Sequence, residues 1–155
     1  MANLIGIRGI INAGKTTTCG FIYEDLLSIV QTAHSFNNVD VNAYSLRYTQ
    51  HHTVIDFEAM LTLPNGKCIG LISEGDNLDL RAKLENHIAK GAHAIICCTR
   101  SRNRRNSTFR MIQDEFQPNH PIVLEQRVVR SQNTNLRQAK SGVVNAVVNH
   151  IRRLL

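Results

Sequence analysis

The chain has 155 residues, 43% of them hydrophobic, and a net charge of +6. This length suits a single domain, 1–155, that can bury the core of one sheet. No apolar run is long enough to span a membrane and no segment reads as a secretory signal, so we expect a cytoplasmic protein without a membrane partner. The charge is uneven, because residues 91–155 hold 11 Lys and Arg against 3 Asp and Glu, whereas residues 1–90 hold 7 against 9.

Strands and helices alternate along the chain. Hydrophobic periodicity and turn residues predict, in order, a strand at 3–8, a helix at 15–32, a polar turn region at 33–43, a short strand at 44–48, strands at 53–63 and 67–73, a helix at 78–90, a strand at 93–98, a helix at 107–116, a strand at 121–128 and a helix at 134–154. The turn at Pro64-Asn65-Gly66-Lys67 makes the two middle strands an antiparallel hairpin. The pattern predicts a three-layer α/β domain whose central sheet is mostly parallel, with the hairpin toward one edge.

The first and last helices each have an apolar face that we expect to pack on the sheet. The residues on these faces are Phe21, Leu26, Leu27 and Val30 in the first helix and Leu136, Val143, Val147, Ile151 and Leu154 in the last. The four cysteines, Cys19, Cys68, Cys97 and Cys98, show no paired C-x-x-C spacing. We therefore expect reduced core thiols and not metal ligands or disulfides.

The segment Gly9-Ile10-Ile11-Asn12-Ala13-Gly14-Lys15-Thr16 fits the pattern G-x-x-x-x-G-K-[ST] at every fixed position, between a strand and a helix. Glycines let a loop wrap closely spaced anionic groups with its backbone N–H groups, and the helix that begins near Gly14 adds its N-terminal dipole. In this pattern Lys15 brings a positive charge to the β- and γ-phosphates of a nucleoside triphosphate, and the Thr16 hydroxyl binds Mg²⁺. The segment therefore predicts a phosphate-binding loop.

On these residues the chain resembles the P-loop NTPase superfamily, whose Walker A motif the loop matches. The resemblance is close over the first strand, the loop and the first helix, and it extends to the rest only in the alternation of elements. It implies a P-loop NTPase-like fold that binds a nucleotide with Mg²⁺. It also implies that the following residues bind the nucleotide: Gly9, Asn12, Ala13, Gly14, Lys15, Thr16 and, at the α-phosphate, Thr17.

Acidic residues follow the strand at 67–73, where ligands bind in open sheets of this kind. A P-loop enzyme needs a carboxylate near its Mg²⁺, to hold the metal's water shell or to polarise an attacking water, and Glu74 and Asp76 are the best candidates. For Asp76 the alternative is structural, since with Asn77 it could cap the helix at 78–90. Asp56 is a weaker rival, because the alternating pattern of residues 53–58 suggests the solvated face of a hairpin strand.

Five arginines lie between residues 100 and 110, directly after the strand at 93–98. Three interpretations remain open, namely a mobile lid that neutralises transferring phosphoryl charge, a polynucleotide-binding surface and a solvated loop. Residues 99–108 contain no aromatic side chain for base stacking, which disfavours nucleic acid. Arg100, nearest to the strand end, is the candidate for a catalytic role.

The sequence indicates the identity of the nucleotide base less clearly than it indicates a phosphate-binding loop. Guanine-specific members of the superfamily carry Asn-Lys-x-Asp after a late strand, and this chain has no such motif. The resemblance therefore favours ATP as the nucleotide. Residues 99–101 and the region after the strand at 121–128, with Val129 and Arg130, are candidate walls of the base site.

Two classes of function remain, with a third behind them. The first is a small phosphotransferase, similar to a nucleotide kinase, that uses Mg·ATP, an arginine-rich lid at 100–110 and an unknown acceptor bound near residues 33–52. The second is a nucleotide-dependent regulatory or binding module with little turnover, acting on an unknown protein partner. The third, an ATPase acting with nucleic acid, is supported only by the basic second half. In the first class the expected catalytic residues are Lys15, Glu74, Asp76 and Arg100, and the expected metal ligands are Thr16, Glu74 and Asp76.

Overall fold

The structure is a computed structural model. It describes residues 1–10, 13–30, 32–37, 39–40, 45–46, 49–50, 54–74, 79–100, 107–132 and 134–155. The strands are β1 (Asn3–Gly9), β2 (Thr32–Asn37), β3 (Val39–Asp40), β4 (Ser45–Leu46), β5 (Glu58–Thr62), β6 (Cys68–Ile72), β7 (Ala92–Arg100) and β8 (Ile122–Arg127). The helices are α1 (Lys15–Leu27), α2 (Leu80–Ala89), α3 (Thr108–Met111), which continues into a π-helical turn (Ile112–Phe116), and α4 (Leu136–Arg152).

One six-stranded sheet forms the centre of the fold, with its strands in the order β2-β5-β6-β7-β1-β8. Strands β6, β7, β1 and β8 are mutually parallel, whereas β5 runs antiparallel to both β6 and β2. The short strands β3 and β4 pair only with each other. The predicted α/β class, the mostly parallel sheet and the antiparallel hairpin toward one edge are confirmed, and β2 lies outside the hairpin at the edge itself.

Helices cover both faces of this sheet. Ile5 and Ile7 of β1 belong to a buried cluster that includes residues of α1 and α4, while Leu4 belongs to a second cluster with residues of α2 and α3. Successive side chains of a strand point to opposite faces, so a strand that is covered on both sides must be apolar throughout. This explains the continuous apolar run of β7, in which Ile95 and Ile96 are both fully buried.

Some boundaries differ from the prediction. The region predicted as a polar turn at 33–43 contains most of β2, because pairing with β5 satisfies its backbone whatever the polarity of its residues. Helix α1 ends at Leu27 and not at residue 32, and β5 begins only at Glu58. The helix predicted at 107–116 divides into α3 and the π-helical turn, where Gln117 N donates to Ile112 O at 2.8 Å.

The buried faces of the two long helices are only partly as predicted. In α4, Val147 and Ile151 are buried, but Leu136 is 45% exposed, so its assignment to the core was wrong. Lys140 and Val144 are buried on that helix instead. In α1 the most deeply buried apolar side chains are Cys19, Ile22, Tyr23 and Leu26. All four cysteines are free, and Cys19, Cys97 and Cys98 are buried as expected, whereas Cys68 is only partly buried.

Candidate functional site

The glycine loop (residues 9–16) connects the carboxyl end of β1 to the first turn of α1. Gly9 is the last residue of β1, and Lys15 is the first residue of α1. Ala13 N donates to Ile10 O at 3.2 Å, which closes the turn within the loop. The predicted nucleotide ligand Asn12 lies outside the described residues.

Both glycines of the motif occupy positions where a side chain would be strained. A Cβ on Gly9 would lie 2.9 Å from Val128 O, a distance that real Cβ atoms do not reach. Gly14 precedes α1 with φ +91°, in the left-handed region that favours glycine. A Cβ on Gly14 would also lie 3.1 Å from Cε of Lys140. The loop therefore depends on glycine for close backbone approach at one end and for its turn into α1 at the other.

The Lys15 side chain folds back over the glycine loop. Its Nζ donates to Gly9 O at 2.9 Å, and the residue is only 6% exposed. Thr18 reaches the same loop from α1, since its N and Oγ1 donate to Gly14 O at 2.9 and 2.7 Å. An ammonium group thus lies against the loop next to the N-terminus of α1, where the helix dipole also favours an anion.

The Thr16 hydroxyl contacts a carboxylate from a different part of the chain. Thr16 Oγ1 donates to Asp56 Oδ1 at 2.5 Å. The same carboxylate oxygen accepts from Ser73 Oγ at 3.3 Å, directly after β6. A carboxylate with a hydroxyl group on either side offers the oxygen donors that Mg²⁺ prefers. Asp56, which sequence reasoning ranked as a weaker rival, therefore lies beside the loop.

Neighbouring contacts hold Asp56 in this position. Phe57 N donates to Ser73 Oγ at 2.7 Å and Ser73 N donates to Phe57 O at 3.0 Å, which joins the segment to the end of β6. The Phe57 ring packs edge-on against Tyr23, with the ring centroids 5.5 Å apart. Tyr23 follows Thr16 by two helical turns, so both lie on the same face of α1. Asp56 and Phe57 therefore contact that face at points two turns apart.

Of the two acidic residues favoured from the sequence, the structure describes only Glu74. Glu74 Oε2 forms an ion pair with Lys83 Nζ of α2 at 2.8 Å, and the Glu74 side chain is 40% exposed. Its described partner is therefore a residue of α2 and not of the glycine loop. Asp76 and Asn77 lie outside the described residues. Both interpretations of Asp76, as a metal ligand and as a helix cap, therefore stay predictions.

The start and the direction of β5 explain why Asp56 was ranked low. The alternating pattern of residues 53–58 placed Asp56 on the solvated face of a hairpin strand, whereas β5 begins only at Glu58. Because β5 is antiparallel to β6, its amino end lies at the same edge of the sheet as the carboxyl ends of β6, β7 and β1. Asp56 precedes β5 by two residues and so reaches that edge. The hairpin turn predicted from the sequence already implies this antiparallel direction, and it could therefore have identified Asp56 as a candidate.

Arg100 lies beside the glycine loop in the sheet register. It is the last residue of β7, and its Cα partner on β1 is Gly9. Alternation along the strand places it on the same face as Cys98, toward α1. Arg110, by contrast, pairs with Asp114 on the surface at 3.0 Å. The other arginines of the tract lie outside the described residues.

A cleft of about 390 Å³ opens next to the loop and the start of α1. It is lined by Ala13, Gly14, Thr17, Arg130, Ser131, Leu136 and Lys140. This volume lies within the range of about 300–1,000 Å³ that is typical of small-molecule sites. Arg130 and Thr17, two residues named from the sequence, meet here. Thr99, from the other candidate base wall, is buried in β7 and is not part of this lining.

Lys140 of α4 is a residue of this site that sequence reasoning missed. It is 5% exposed, and its Nζ donates to Ala13 O at 2.9 Å and to Val129 O at 2.5 Å. Burial lowers the pKa of this lysine from its ordinary value. Lys140 lies on the buried face of α4, together with Val144 and Val147. A single lysine among the apolar residues of a predicted helix face is the sequence pattern that could have identified it.

The floor of the site is made of two thiols. Cys19 Sγ of α1 lies 2.9 Å from Cys98 Sγ of β7, and the Cys98 thiol is directed toward Lys15 O at 3.8 Å. Burial raises the pKa of Cys98, because a thiolate would be poorly solvated there. The layer beneath Lys15 is therefore buried, which strengthens electrostatic interactions next to it.

The comparisons with known proteins provide no further guide to the site. No family model matches the chain, and neither the curated proteins nor the solved structures gave a significant match. None of the helices in the described part of the chain combines the length and hydropathy needed to cross a bilayer. The described residues also contain no group of three or more His, Cys, Asp or Glu side chains that could hold a metal by themselves.

Proposed function

We propose that the protein binds a nucleoside triphosphate together with Mg²⁺ in the glycine loop, as P-loop NTPase-like proteins do, and that the nucleotide is ATP. One observation carries the proposal, namely that Lys15, Thr16 and Asp56 converge at the N-terminus of α1. An ammonium group, a hydroxyl group and a carboxylate in this arrangement match the charges of a polyphosphate and its divalent cation. Within this proposal Gly9, Ala13 and Gly14 surround the phosphates.

The proposed roles divide between phosphate and metal. Lys15 binds the β- and γ-phosphate oxygens as a point charge. Thr16 and Asp56 would hold Mg²⁺, Asp56 in place of the carboxylate first expected from Glu74 or Asp76. The metal, when bound, neutralises charge on the phosphates. A cation supported by these two oxygen donors still needs oxygens from the nucleotide or water, in keeping with how proteins usually bind Mg²⁺.

The base and ribose fit the cleft beside the loop. The cleft offers the apolar side chain of Leu136, the polar groups of Thr17 and Ser131, and two cations. Ile10, Val129 and Leu136 are three of the large hydrophobic residues that are exposed at the protein surface. No carboxylate is among the described lining residues, so the described walls lack the group that pairs with the guanine N–H edge. This supports ATP over GTP.

We further propose that the bound ATP is used in phosphoryl transfer. Arg100 supports this step, because its register beside Gly9 brings a guanidinium group to the edge of the sheet at which the phosphates are proposed to bind. The acceptor is unknown, and nearly half of the candidate region at 33–52 lies outside the described residues. The free thiols agree with the reducing cytoplasm as the proposed compartment.

Turnover assays test the two parts of this proposal. Production of ADP from Mg·ATP should rise when a phosphoryl acceptor from a panel of nucleosides, nucleotides and small alcohols is added, and GTP should compete poorly with ATP. Binding of Mg·ATP without stimulated turnover by any acceptor would contradict phosphoryl transfer and favour the regulatory module. Stimulation by a polynucleotide, with steep salt dependence, would instead favour the nucleic-acid ATPase.

A further inference from the structure

Lys140 is a buried cation whose described partners are all neutral. Its ammonium group contacts two main-chain carbonyl oxygens, and the ion pairs among the described residues do not include it. An ammonium group removed from water without a counter-ion is costly. The two carbonyl contacts satisfy N–H groups of Lys140 but leave its charge without a counter-ion on the buried face of α4, where Val144 and Val147 are its neighbours.

The position of this ammonium group indicates what could balance its charge. Lys140 lines the cleft beside Thr17 and Arg130. Its Nζ would lie 3.4 Å from a Cβ placed on Gly14, so the ammonium group lies next to the N-terminus of α1. An ammonium group has three N–H donors, and two of them are used by Ala13 O and Val129 O. The third donor remains for an oxygen of a ligand in the cleft.

We propose that Lys140 is a second phosphate-binding cation, which contacts the α-phosphate of the bound nucleotide while Lys15 serves the β- and γ-phosphates. This inference rests on the proposed nucleotide-binding function. Thr17, which also lines the cleft, is the residue whose motif position corresponds to the α-phosphate. The consequence for ligand class is specific, because a site with its own α-phosphate cation binds nucleoside monophosphates and diphosphates as well as triphosphates.

Lys140 also has a positioning effect that any test must separate from phosphate contact. By bridging Ala13 O and Val129 O it ties the glycine loop to the connection between β8 and α4. Loss of this bridge alone would loosen the loop and weaken every ligand. A direct contact between the Lys140 ammonium group and a phosphate has a different signature, because it adds an electrostatic attraction that salt screens.

The test compares Lys140→Met with wild type for binding of ATP, ADP and AMP by calorimetry. Loss of one charge-assisted hydrogen bond should weaken all three nucleotides by a similar factor, about 10- to 100-fold. The dependence of log Kd on log salt concentration should become shallower. Lys15→Ala should weaken ATP far more than AMP. The matched control is Arg137→Met, which removes a cation from the exposed face of the same helix, where it pairs with Asp25, and which should leave all three affinities unchanged.

Three results would overturn this assignment while leaving the proposed function intact. They are unchanged affinities in Lys140→Met, a loss confined to ATP, and a uniform loss with an unaltered salt dependence, which would show a positioning effect alone. If wild type bound no nucleotide, the proposed function itself would fail. Should Lys140→Met not fold, Lys140→Gln, which keeps an N–H donor without the charge, provides the same comparison. Wild-type protein alone gives a further check, because equal affinities for AMP and adenosine would contradict any α-phosphate contact.

Discussion

Thr16, in the first turn of α1, donates its hydroxyl to the carboxylate of Asp56, which lies 40 residues further along the chain, at 2.5 Å. The contact joins the glycine loop to the amino end of the antiparallel strand β5. It depends on the direction of that strand, since a parallel β5 would present its other end at this edge of the sheet. The pairing thus links the topology of the sheet to the chemistry proposed for the loop.

Asp56→Asn tests whether this carboxylate supports the metal. The amide keeps the shape of the side chain but removes its charge, so the gain in ATP affinity on adding Mg²⁺ should fall about tenfold or more. Glu74→Gln is the matched control, because it breaks a partly exposed ion pair with Lys83 that contributes about 1 kcal/mol to stability. Titrations of ATP with and without Mg²⁺ measure both effects. A loss of Mg²⁺ dependence in Glu74→Gln but not in Asp56→Asn would contradict the role of Asp56 and support Glu74 as the carboxylate near the metal.

Gly70→Ala should destabilise the fold. A Cβ at this position in β6 would lie 2.3 Å from Nδ1 of His87, which is fully buried and 3.1 Å from Glu58 through its other ring nitrogen. Overpacking of a rigid core costs about 1–3 kcal/mol. Gly142→Ala is the control, since Gly142 lies in α4 with no atom near its Cβ position and should gain up to about 1 kcal/mol.

Urea unfolding of both glycine variants measures these changes in the free energy of unfolding. Opposite signs are expected, although each variant adds one methyl group. Equal stability of Gly70→Ala and wild type would show that the imidazole of His87 can move away, and the buried contact with Glu58 would then be loose.

The buried thiols should make the protein less stable at alkaline pH. Burial raises the pKa of Cys97 and of Cys98 above their ordinary value of 9.0. Above pH 9 the unfolded chain releases these protons and the folded chain retains them, so the free energy of unfolding falls as pH rises, by about 1.4 kcal/mol per pH unit for each thiol. Below that pH the two thiols contribute no pH dependence.

Cys97→Ala isolates one thiol in this experiment. Urea unfolding between pH 8 and pH 10.5 should give a shallower decline for the variant than for wild type, whatever the variant loses in absolute stability from the smaller side chain. Identical slopes in wild type and Cys97→Ala would show that this thiol ionises in the folded protein.

The sequence predicts those parts of the molecule that local pattern determines. The strand–loop–helix unit around Gly14, the hairpin turn at Gly66 and the apolar strand β7 each carry their signal within a few residues, and the structure contains all three. Edge strand β2 was missed because its pairing with β5 is a tertiary contact that its own polar residues do not announce.

The candidate site was harder to predict, because two of its charged residues reach it through the fold. Asp56 arrives through the direction of an antiparallel strand, and Lys140 arrives from α4, more than 100 residues after the loop it contacts. Neither stands at a fixed spacing from the motif. Only the packing of α4 beside α1 and the order of the strands bring them together.

Calorimetric titration of wild type and Lys15→Ala with Mg·ATP is the most direct test of the account. Wild type should bind with a stoichiometry of one, and the variant should lose most or all affinity while its thermal unfolding stays close to that of wild type. Lys90→Ala, which alters an exposed lysine at the end of α2, should bind as wild type does. Full affinity in folded Lys15→Ala, or no heat with any Mg-nucleotide in wild type, would contradict the proposed phosphate site.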